Sequence, residues 1–600
     1  MNNILNTLPS INAERDGGRT AFNYLDRSLE LSSISSADFN DRTSLMAYAL
    51  ETLGLEPQQR VAVFSENRLE TLIMDFAIYA NRGVTVSIYA TSSDEQVEYI
   101  LRDSGAVVVA VDTAKRLDAV MRVRKNCKDL RHVVVYDRGL AEKYPGEVME
   151  FGKMLSLGEA ATPACRKEVD DRRKSAMPED MATIIYTSGT TGEPKGAVLT
   201  HRSFDAALEI HRDRLDMLST SDTSLCFLPL SHIFEKAWTY FCFYRGIEVT
   251  VNNDPHRIQE AVAKVRPTCM CSVPRFWEKA YTAIQEKIAS MGWLQRTLVA
   301  RALKVGRRRN LDYVRLGKKV PVLLEKQYQF FYKRIFLTMQ KAIGIEHGNI
   351  FPTAGAPLSP NIVEFFHSCG VNVIIGYGLS ETTATVTCFP NVDYEIGTVG
   401  TVLPGIEVKI GDEGEILVKG PTVMAGYFNK PEATAAAFTA DGWFRTGDAG
   451  RFDEHGALIL TERIKDLFKT SNGKYIAPQA IESRLGEDKF IEQVAVIGDR
   501  RKYVTAIIIP AFEALKEYAK AKKISYKSLE ELVKNSEIRD MIAKRIDELQ
   551  SNFAGFERIK KFTLLPKAFT MEAGELTNTL KIRRPVIAAR YASEIEAMYA

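Results

Sequence analysis

The tightest constraint on the fold is a regular alternation of helix-like and strand-like stretches between residues 40 and 140. Asp41 to Leu53 carries apolar residues at helical spacing, and Arg60 to Phe64 then reads as a strand. Leu69 to Asn81 predicts a helix, Val84 to Ile88 a strand, Gln96 to Asp103 a helix and Ala106 to Val111 a strand. Alternation of this kind argues for an α/β lobe built on a parallel sheet. A chain of 600 residues exceeds one hydrophobic core, so at least two domains are expected.

The polar, Lys/Arg-rich segment Glu142 to Pro178 reads as a surface connection leading into two further strands, Met181 to Ile185 and Ala197 to Leu199. Between those strands lies Tyr186-Thr187-Ser188-Gly189-Thr190-Thr191-Gly192-Glu193-Pro194-Lys195-Gly196. Its glycines let backbone N–H groups approach an anion, its hydroxyls donate hydrogen bonds, and Lys195 adds positive charge. A polyphosphate suits such a loop better than solvent does, although a polar surface turn has similar residues. It is not a Walker loop, which requires Ser or Thr directly after the lysine; here Gly196 follows Lys195.

Composition excludes several partners. A net charge of +3 gives no reason to expect a nucleic acid. The 8 cysteines include no C-x-x-C pair, so buried free thiols in a reducing compartment are expected. No signal peptide and no run of about 18 apolar residues is read. The expected location is cytoplasmic.

Farther along, His201 to Leu218 predicts a helix capped by Thr200, and Cys226 to Leu230 a strand leading to His232. A histidine beside an apolar stretch is most often a hydrogen-bonded core residue. From Met270 to about Gly344 the texture changes. Nine basic residues, Arg296, Arg301, Lys304, Arg307, Arg308, Arg309, Arg315, Lys318 and Lys319, are opposed by Asp312. They read as a solvated basic loop or as a surface for anionic headgroups, followed by an amphipathic helix through Leu324, Tyr328, Phe331, Ile335, Met339 and Ala342. Ile350 to Leu358 is a strand ending in Gly355, Ala356 and Pro357, small enough to admit a flat ring. Val371 to Ile375 leads to Gly376-Tyr377-Gly378-Leu379-Ser380-Glu381, offering an aromatic for stacking and a carboxylate for Mg²⁺. Short strands with glycine turns after Val408 suggest a small antiparallel lobe ending at Trp443 to Asp448. Thr461 to Asp466 reads as a charged linker, and residues 466–600 as a separate α+β unit whose exposed loop carries Lys581.

In series, YTSGTTGEPKG, GYGLSETTA, WFRTGD, RIKD and the late lysine resemble the AMP-forming adenylating superfamily, over about residues 20 to 595. That superfamily includes acyl-CoA synthetases, firefly luciferases and peptide-synthetase adenylation domains. The resemblance implies a large N-terminal domain of α/β sheet lobes with a small β-barrel-like lobe (1–465), and a smaller, mobile C-terminal lid (466–600). It implies a carboxylate attacking the α-phosphate of Mg·ATP, followed by displacement of AMP by the thiol of coenzyme A. Thr187, Ser188, Gly189, Thr190, Thr191 and Lys195 would hold the β- and γ-phosphates. Gly355, Ala356 and Pro357 would line adenine with Tyr377 and Gly378, and Ser380 would touch the phosphate. Glu381 would bind Mg²⁺, Asp448 would accept from the ribose hydroxyls, and Arg463 would help hold ribose or phosphate. Lys581 would bridge the carboxylate and α-phosphate, with His232 beside the acyl carboxylate. Lys465 would be the hinge and Gly473 would line the coenzyme A route.

Asn578 and Glu462 depart from the superfamily pattern without removing a reacting group. The insertion from about 278 to 344, entered through VPRFWEK, and the ELTNTLKIRR segment look like long-chain fatty acyl-CoA synthetases. The expected function is therefore a long-chain fatty acid–CoA ligase, with peripheral contact between residues 296–319 and anionic membrane at its inner face. An acyl-AMP ligase serving a carrier protein is the alternative, and a catalytically dead fatty-acid-binding protein a third.

Overall fold

The computed structural model describes residues 4–187, 193–464, 468–471, 475–571, 573–577 and 581–600. Eight strands form the first sheet, in the order Gly426–Tyr427, Lys195–Thr200, Met181–Thr187, Val84–Ile88, Arg60–Phe64, Val108–Val111, His132–Val135 and Val148–Glu150. The six from Met181–Thr187 to Val148–Glu150 run parallel, and Lys195–Thr200 returns antiparallel on Met181–Thr187. Side chains alternate strictly across this sheet. Val61 and Val63 enter one core while Ala62 and Phe64 enter the other. Both faces are therefore dry, which explains why these strands are nearly continuous in Val, Ile and Ala.

A second layer joins two four-stranded sheets through single bridges at Ser224, Cys269 and Ile350. It carries Phe351–Thr353 and Val373–Tyr377, parallel neighbours whose C-terminal ends face the same edge. A small antiparallel sheet follows, ordered Glu407–Ile410, Glu415–Lys419, Phe444–Phe452 and Leu458–Arg463. Residues beyond it have their own three-stranded sheet of Ile491–Ile497, Val504–Pro510 and Ile559–Leu564, packed by helices into separate cores.

Four sequence expectations need correction. Glu142 to Pro178 is not a loop: it holds the helices Phe151–Glu159 and Pro163–Ser175. The apolar content of the second is sparse, but Phe151, Met154 and Val169 are buried, and the Arg172 guanidinium donates to the Leu55 carbonyl at 2.7 Å. The basic stretch begins as a helix, Trp293–Arg309, held against the core by Val299 and Ala302. The strand expected at Cys226 to Leu230 is Thr223–Cys226 instead. Asn67 takes over beyond it, donating to the Leu228 carbonyl at 2.7 Å and accepting from the Leu230 N–H at 2.8 Å. Thr461 to Arg463, read as linker, completes the strand Leu458–Arg463 through pairing of Asp448 with Arg463.

All 8 cysteines are buried and free. Among the described residues no helix is long and apolar enough to cross a membrane.

Candidate active site

Strand ends from the two large layers and the small sheet converge on one cavity of about 3320 Å³, which Lys581 also lines. Thr187 closes one strand and Lys195 opens the next, and the two are paired across the ladder. The Lys195 ammonium lies 5.2 Å from the centre of the Tyr427 ring. Tyr427 in turn donates its hydroxyl to Glu381 Oε1 at 2.9 Å, so one aromatic side chain links the lysine to the carboxylate. Ser188, Gly189, Thr190 and Thr191 lie outside the described residues, as do Lys465, Gly473 and Asn578.

Glu381 sits in the short helix Ser380–Thr382, after which Thr383 and Ala384 both take positive φ, 50° and 58°. That tight return brings the Ala384 carbonyl against Gly378. A Cβ on Gly378 would lie 2.4 Å from the Ala384 carbonyl carbon, so only glycine fits there. Gly355, with φ of 93°, makes the other turn along this wall; Gly355, Ala356 and Pro357 are exposed to the cavity.

Asp448 forms the most fully bonded corner. Its carboxylate accepts from the Tyr377 hydroxyl at 2.6 Å and from Arg463 Nε at 3.1 Å, while its own N–H donates to Thr446 Oγ1 at 3.1 Å. Burial first, and then the Asp448 charge, push the Tyr377 phenol far above its ordinary value, so it remains a donor. Sequence reasoning offered Tyr377 as a stacking ring; its hydroxyl also ties two sheets together.

His232 caps the helix Ile233–Arg245, its Nδ1 accepting the Phe234 N–H at 3.2 Å. Burial, and then the nearby Lys581 charge, push this imidazole down to about 4. The ring is thus neutral at ordinary pH, and because Nδ1 is an acceptor, the proton resides on Nε2. His232 presents an uncharged N–H donor beside Lys581. Lys581 is exposed, next to the bridge between Leu576 and Ile582, and its N–H donates to Thr577 Oγ1 at 3.0 Å.

Away from these groups the cavity continues as an apolar arm between insertion helices, with Ile284, Ile288, Val299, Ile335, Met339 and Ile343 on its walls. The helix expected from Leu324 to Ala342 is present as Val322–Phe331, a π turn over Tyr332–Phe336, and Leu337–Ile343. Its Leu324, Tyr328 and Phe331 face the core while Ile335 and Met339 face the arm. Sequence reasoning missed Tyr427; the only signal was its place after Gly426, which read as a turn.

The donor set fits Mg²⁺ in the company of a nucleotide. Mg²⁺ is usually held by one or two carboxylates plus phosphate and water oxygens, and Glu381 supplies a carboxylate on the same wall as Thr187 and Lys195.

Comparison with known proteins identifies the family. A family profile described as AMP-binding enzyme matches residues 10–428, and one described as AMP-binding enzyme C-terminal domain matches residues 465–600. Long-chain-fatty-acid–CoA ligase FadD15 of Mycobacterium tuberculosis is 34% identical, over 94% of this chain and 92% of its own. Long chain acyl-CoA synthetase 7, peroxisomal, of Arabidopsis thaliana is 31% identical, over 91% of this chain and 79% of its own. The solved A domain of a carboxylic acid reductase from Segniliparus rugosus, in complex with AMP and a co-purified carboxylic acid, superposes with a TM-score of 0.76. At 19% identity over 99% of this chain and 94% of that one, it shows a shared fold.

Proposed function

Because the chain belongs to the family of AMP-binding enzymes, we propose that it activates a long-chain fatty acid with ATP and transfers the acyl group to coenzyme A. The observation that carries this reading is the single cavity that joins a polar end to an apolar arm. The polar end has cations, a carboxylate and hydroxyls in the arrangement a nucleoside triphosphate needs. The aliphatic walls of the arm suit an acyl chain.

In the first half-reaction a carboxylate oxygen bonds to the α-phosphorus and the bond to the bridging oxygen breaks, releasing pyrophosphate. Thr187 and Lys195 hold the leaving phosphates, with Ser188, Gly189, Thr190 and Thr191. Mg²⁺, when bound at Glu381, neutralises phosphate charge. Asp448 accepts from the ribose hydroxyls, its orientation set by Tyr377 and Arg463. Gly355, Ala356, Pro357 and Gly378 leave room for adenine, and Ser380 donates to phosphate. Lys581 lies between the two reacting anions, where a positive charge gains most as negative charge concentrates in the transition state. The neutral Nε2–H of His232 orients the acyl carboxylate without quenching its charge. In the second half-reaction the thiol sulfur bonds to the acyl carbon and AMP leaves with its oxygen. The unit after Lys465 turns about that residue, which removes Lys581 and brings Gly473 to the thiol's path.

The protein meets anionic membrane from the side of residues 296–319. Arg307, Arg309 and Arg315 there are paired with Glu364, Glu325 and Glu395, so the contact rests on Arg296, Arg301, Lys304, Arg308, Lys318 and Lys319, all exposed.

Pyrophosphate release with ATP, Mg²⁺ and a panel of fatty acids, with and without coenzyme A, tests the reading. Acid-dependent release that proceeds to acyl-CoA is expected. Release that never reaches coenzyme A points to a carrier protein as acceptor, and no acid-dependent release contradicts the reading altogether.

A further inference from the structure

The segment that carries His232 belongs to no helix or strand. It runs from Phe227 to Ser231, between the strand Thr223–Cys226 and the helix Ile233–Arg245. Backbone groups in such a stretch need partners from elsewhere, because no ladder supplies them. Here two side chains do so. Glu235 Oε2 accepts the Leu228 N–H at 2.9 Å, while Asn67 donates to the Leu228 carbonyl at 2.7 Å and accepts the Leu230 N–H at 2.8 Å. Pro229 has no N–H to satisfy, and its carbonyl accepts the His232 N–H at 2.8 Å.

The two residues come from opposite sides, and both are buried, Glu235 completely and Asn67 at 5% exposure. Asn67 follows the first-sheet strand Arg60–Phe64, whereas Glu235 lies in the helix that His232 caps. Glu235 is fixed in turn, since Thr239 Oγ1 donates to its Oε1 at 3.1 Å and Cys271 Sγ to its Oε2 at 3.3 Å. The adjacent Lys236 is paired with Asp75 at 2.5 Å, both buried, which pins this helix to the helix Leu69–Ala80. Asn67, Leu228, Pro229 and His232 all line the cavity. Apolar side chains would fill the same space without the cost of taking an amide and a carboxyl group out of water. They could not hold the peptide groups of Leu228 and Leu230.

We propose that Asn67 and Glu235 are positioning residues for the acyl carboxylate, acting through His232. They set the path of Leu228 to Ser231, and so the place of the His232 Nε2–H, while their own polar atoms stay committed to the protein. This rests on the role given above to His232 in fatty acid activation. A donor held in place beforehand orients a bound group without a further ordering cost. The nucleotide end depends on other residues, among them Asp448, Tyr377 and Lys195, so loosening this segment should harm the acid and spare ATP.

The test measures kcat and KM for fatty acid and for ATP, by pyrophosphate release from the full chain with Mg²⁺ and coenzyme A. Asn67→Asp keeps the size and the acceptor for Leu230, but turns a carboxylate oxygen toward the Leu228 carbonyl. It should lower kcat/KM for the acid about tenfold and leave KM for ATP within about twofold, the scale of one lost hydrogen bond. Glu235→Leu should do the same. Glu235→Gln should lose no more than about twofold, because its amide oxygen still accepts from Leu228 and Cys271 and the Thr239 hydroxyl can turn to accept. In a His232→Ala background, Asn67→Asp should cost no more than about twofold further, since both changes act through one group.

Losses that multiply in that background would mean that Asn67 serves the core alone, which overturns the proposal. So would a KM for ATP that rises as much as the acid term falls, or a Glu235→Gln chain as impaired as Glu235→Leu. If Glu235→Leu does not fold, Asn67→Asp and its combination with His232→Ala decide the matter. A His232→Ala chain with wild-type kcat/KM for the acid overturns both this proposal and the role given to His232. Absence of acid-dependent release by the wild type contradicts the enzyme reading itself, a separate outcome.

Discussion

The Asp448 corner and the Lys581 loop border one cavity but are held in contrary ways. Asp448 lies in a nine-residue strand, paired on both sides, with its carboxylate accepting from Tyr377 and Arg463. Lys581 arrives from a unit with its own sheet and cores, next to a single isolated bridge, with its side chain exposed. On the proposed reading, the difference separates two jobs. A nucleotide-binding group gains from being fixed before the ligand arrives, because orientation already achieved costs nothing on binding. A charge needed in only one of two half-reactions gains from being removable.

The largest expected effect that sharpens this contrast is at the fixed corner. Asp448→Ala removes the shared acceptor of Tyr377 and Arg463 and, on the proposed reading, the acceptor for the ribose. Hydrogen bonds to a charged group contribute about 1.5–3 kcal/mol, so kcat/KM for ATP should fall about 10- to 100-fold in steady-state assays. A Gly378→Ala chain should lose about 1–3 kcal/mol of stability, the usual cost of forcing atoms into a filled space. Chemical denaturation measures it, and an unchanged midpoint would mean that the Ala384 return yields easily. Tyr427→Phe keeps the ring under Lys195 but removes the hydrogen bond to Glu381. A loss of about 1 kcal/mol should appear as roughly fivefold lower kcat/KM, with more Mg²⁺ needed for half-maximal rate.

The smallest effect concerns His232. Its lowered proton affinity arises first from burial and second from Lys581. Lys581→Ala should therefore move the imidazole titration, followed by NMR, upward from about 4 without restoring the ordinary value of 6.5. The linkage has a definite sign. Below about 6.5 the unfolded chain binds a proton that the folded protein refuses until about 4. This group thus lowers stability progressively as pH falls through that window, and contributes nothing to pH dependence above it.

Much of this site was legible in the sequence because its groups come in short runs. A hydroxyl- and glycine-rich loop between two apolar strands states its chemistry locally, and so does an aromatic, glycine, serine and glutamate series after a strand. The parallel sheet was legible for a similar reason: residues such as Val84 to Ile88 are apolar throughout. What could not be read depends on contacts distant in the chain. Tyr427 acquires meaning only when it meets Glu381 and Lys195, 46 residues from the former. The helix Pro163–Ser175 shows the sequence only two buried residues, Cys165 and Val169, and its Arg172 donates to the Leu55 carbonyl and to Asn81 Oδ1, both more than 90 positions away. The apolar arm has walls from separated helices, which no linear motif announces.

One measurement bears most directly on the central claim, that a fixed nucleotide end is served by a removable lysine. Arg275 and Glu492 face each other across the two units, their charged atoms 3.4 Å apart. A short bis-maleimide joining Arg275→Cys to Glu492→Cys would hold the units as they are, and the native cysteines, all buried, would compete little. In a single turnover the bridged protein should release pyrophosphate and retain acyl-AMP but form no acyl-CoA, whereas the unbridged variant completes both steps. Acyl-CoA formed by the bridged protein at the unbridged rate would contradict the account.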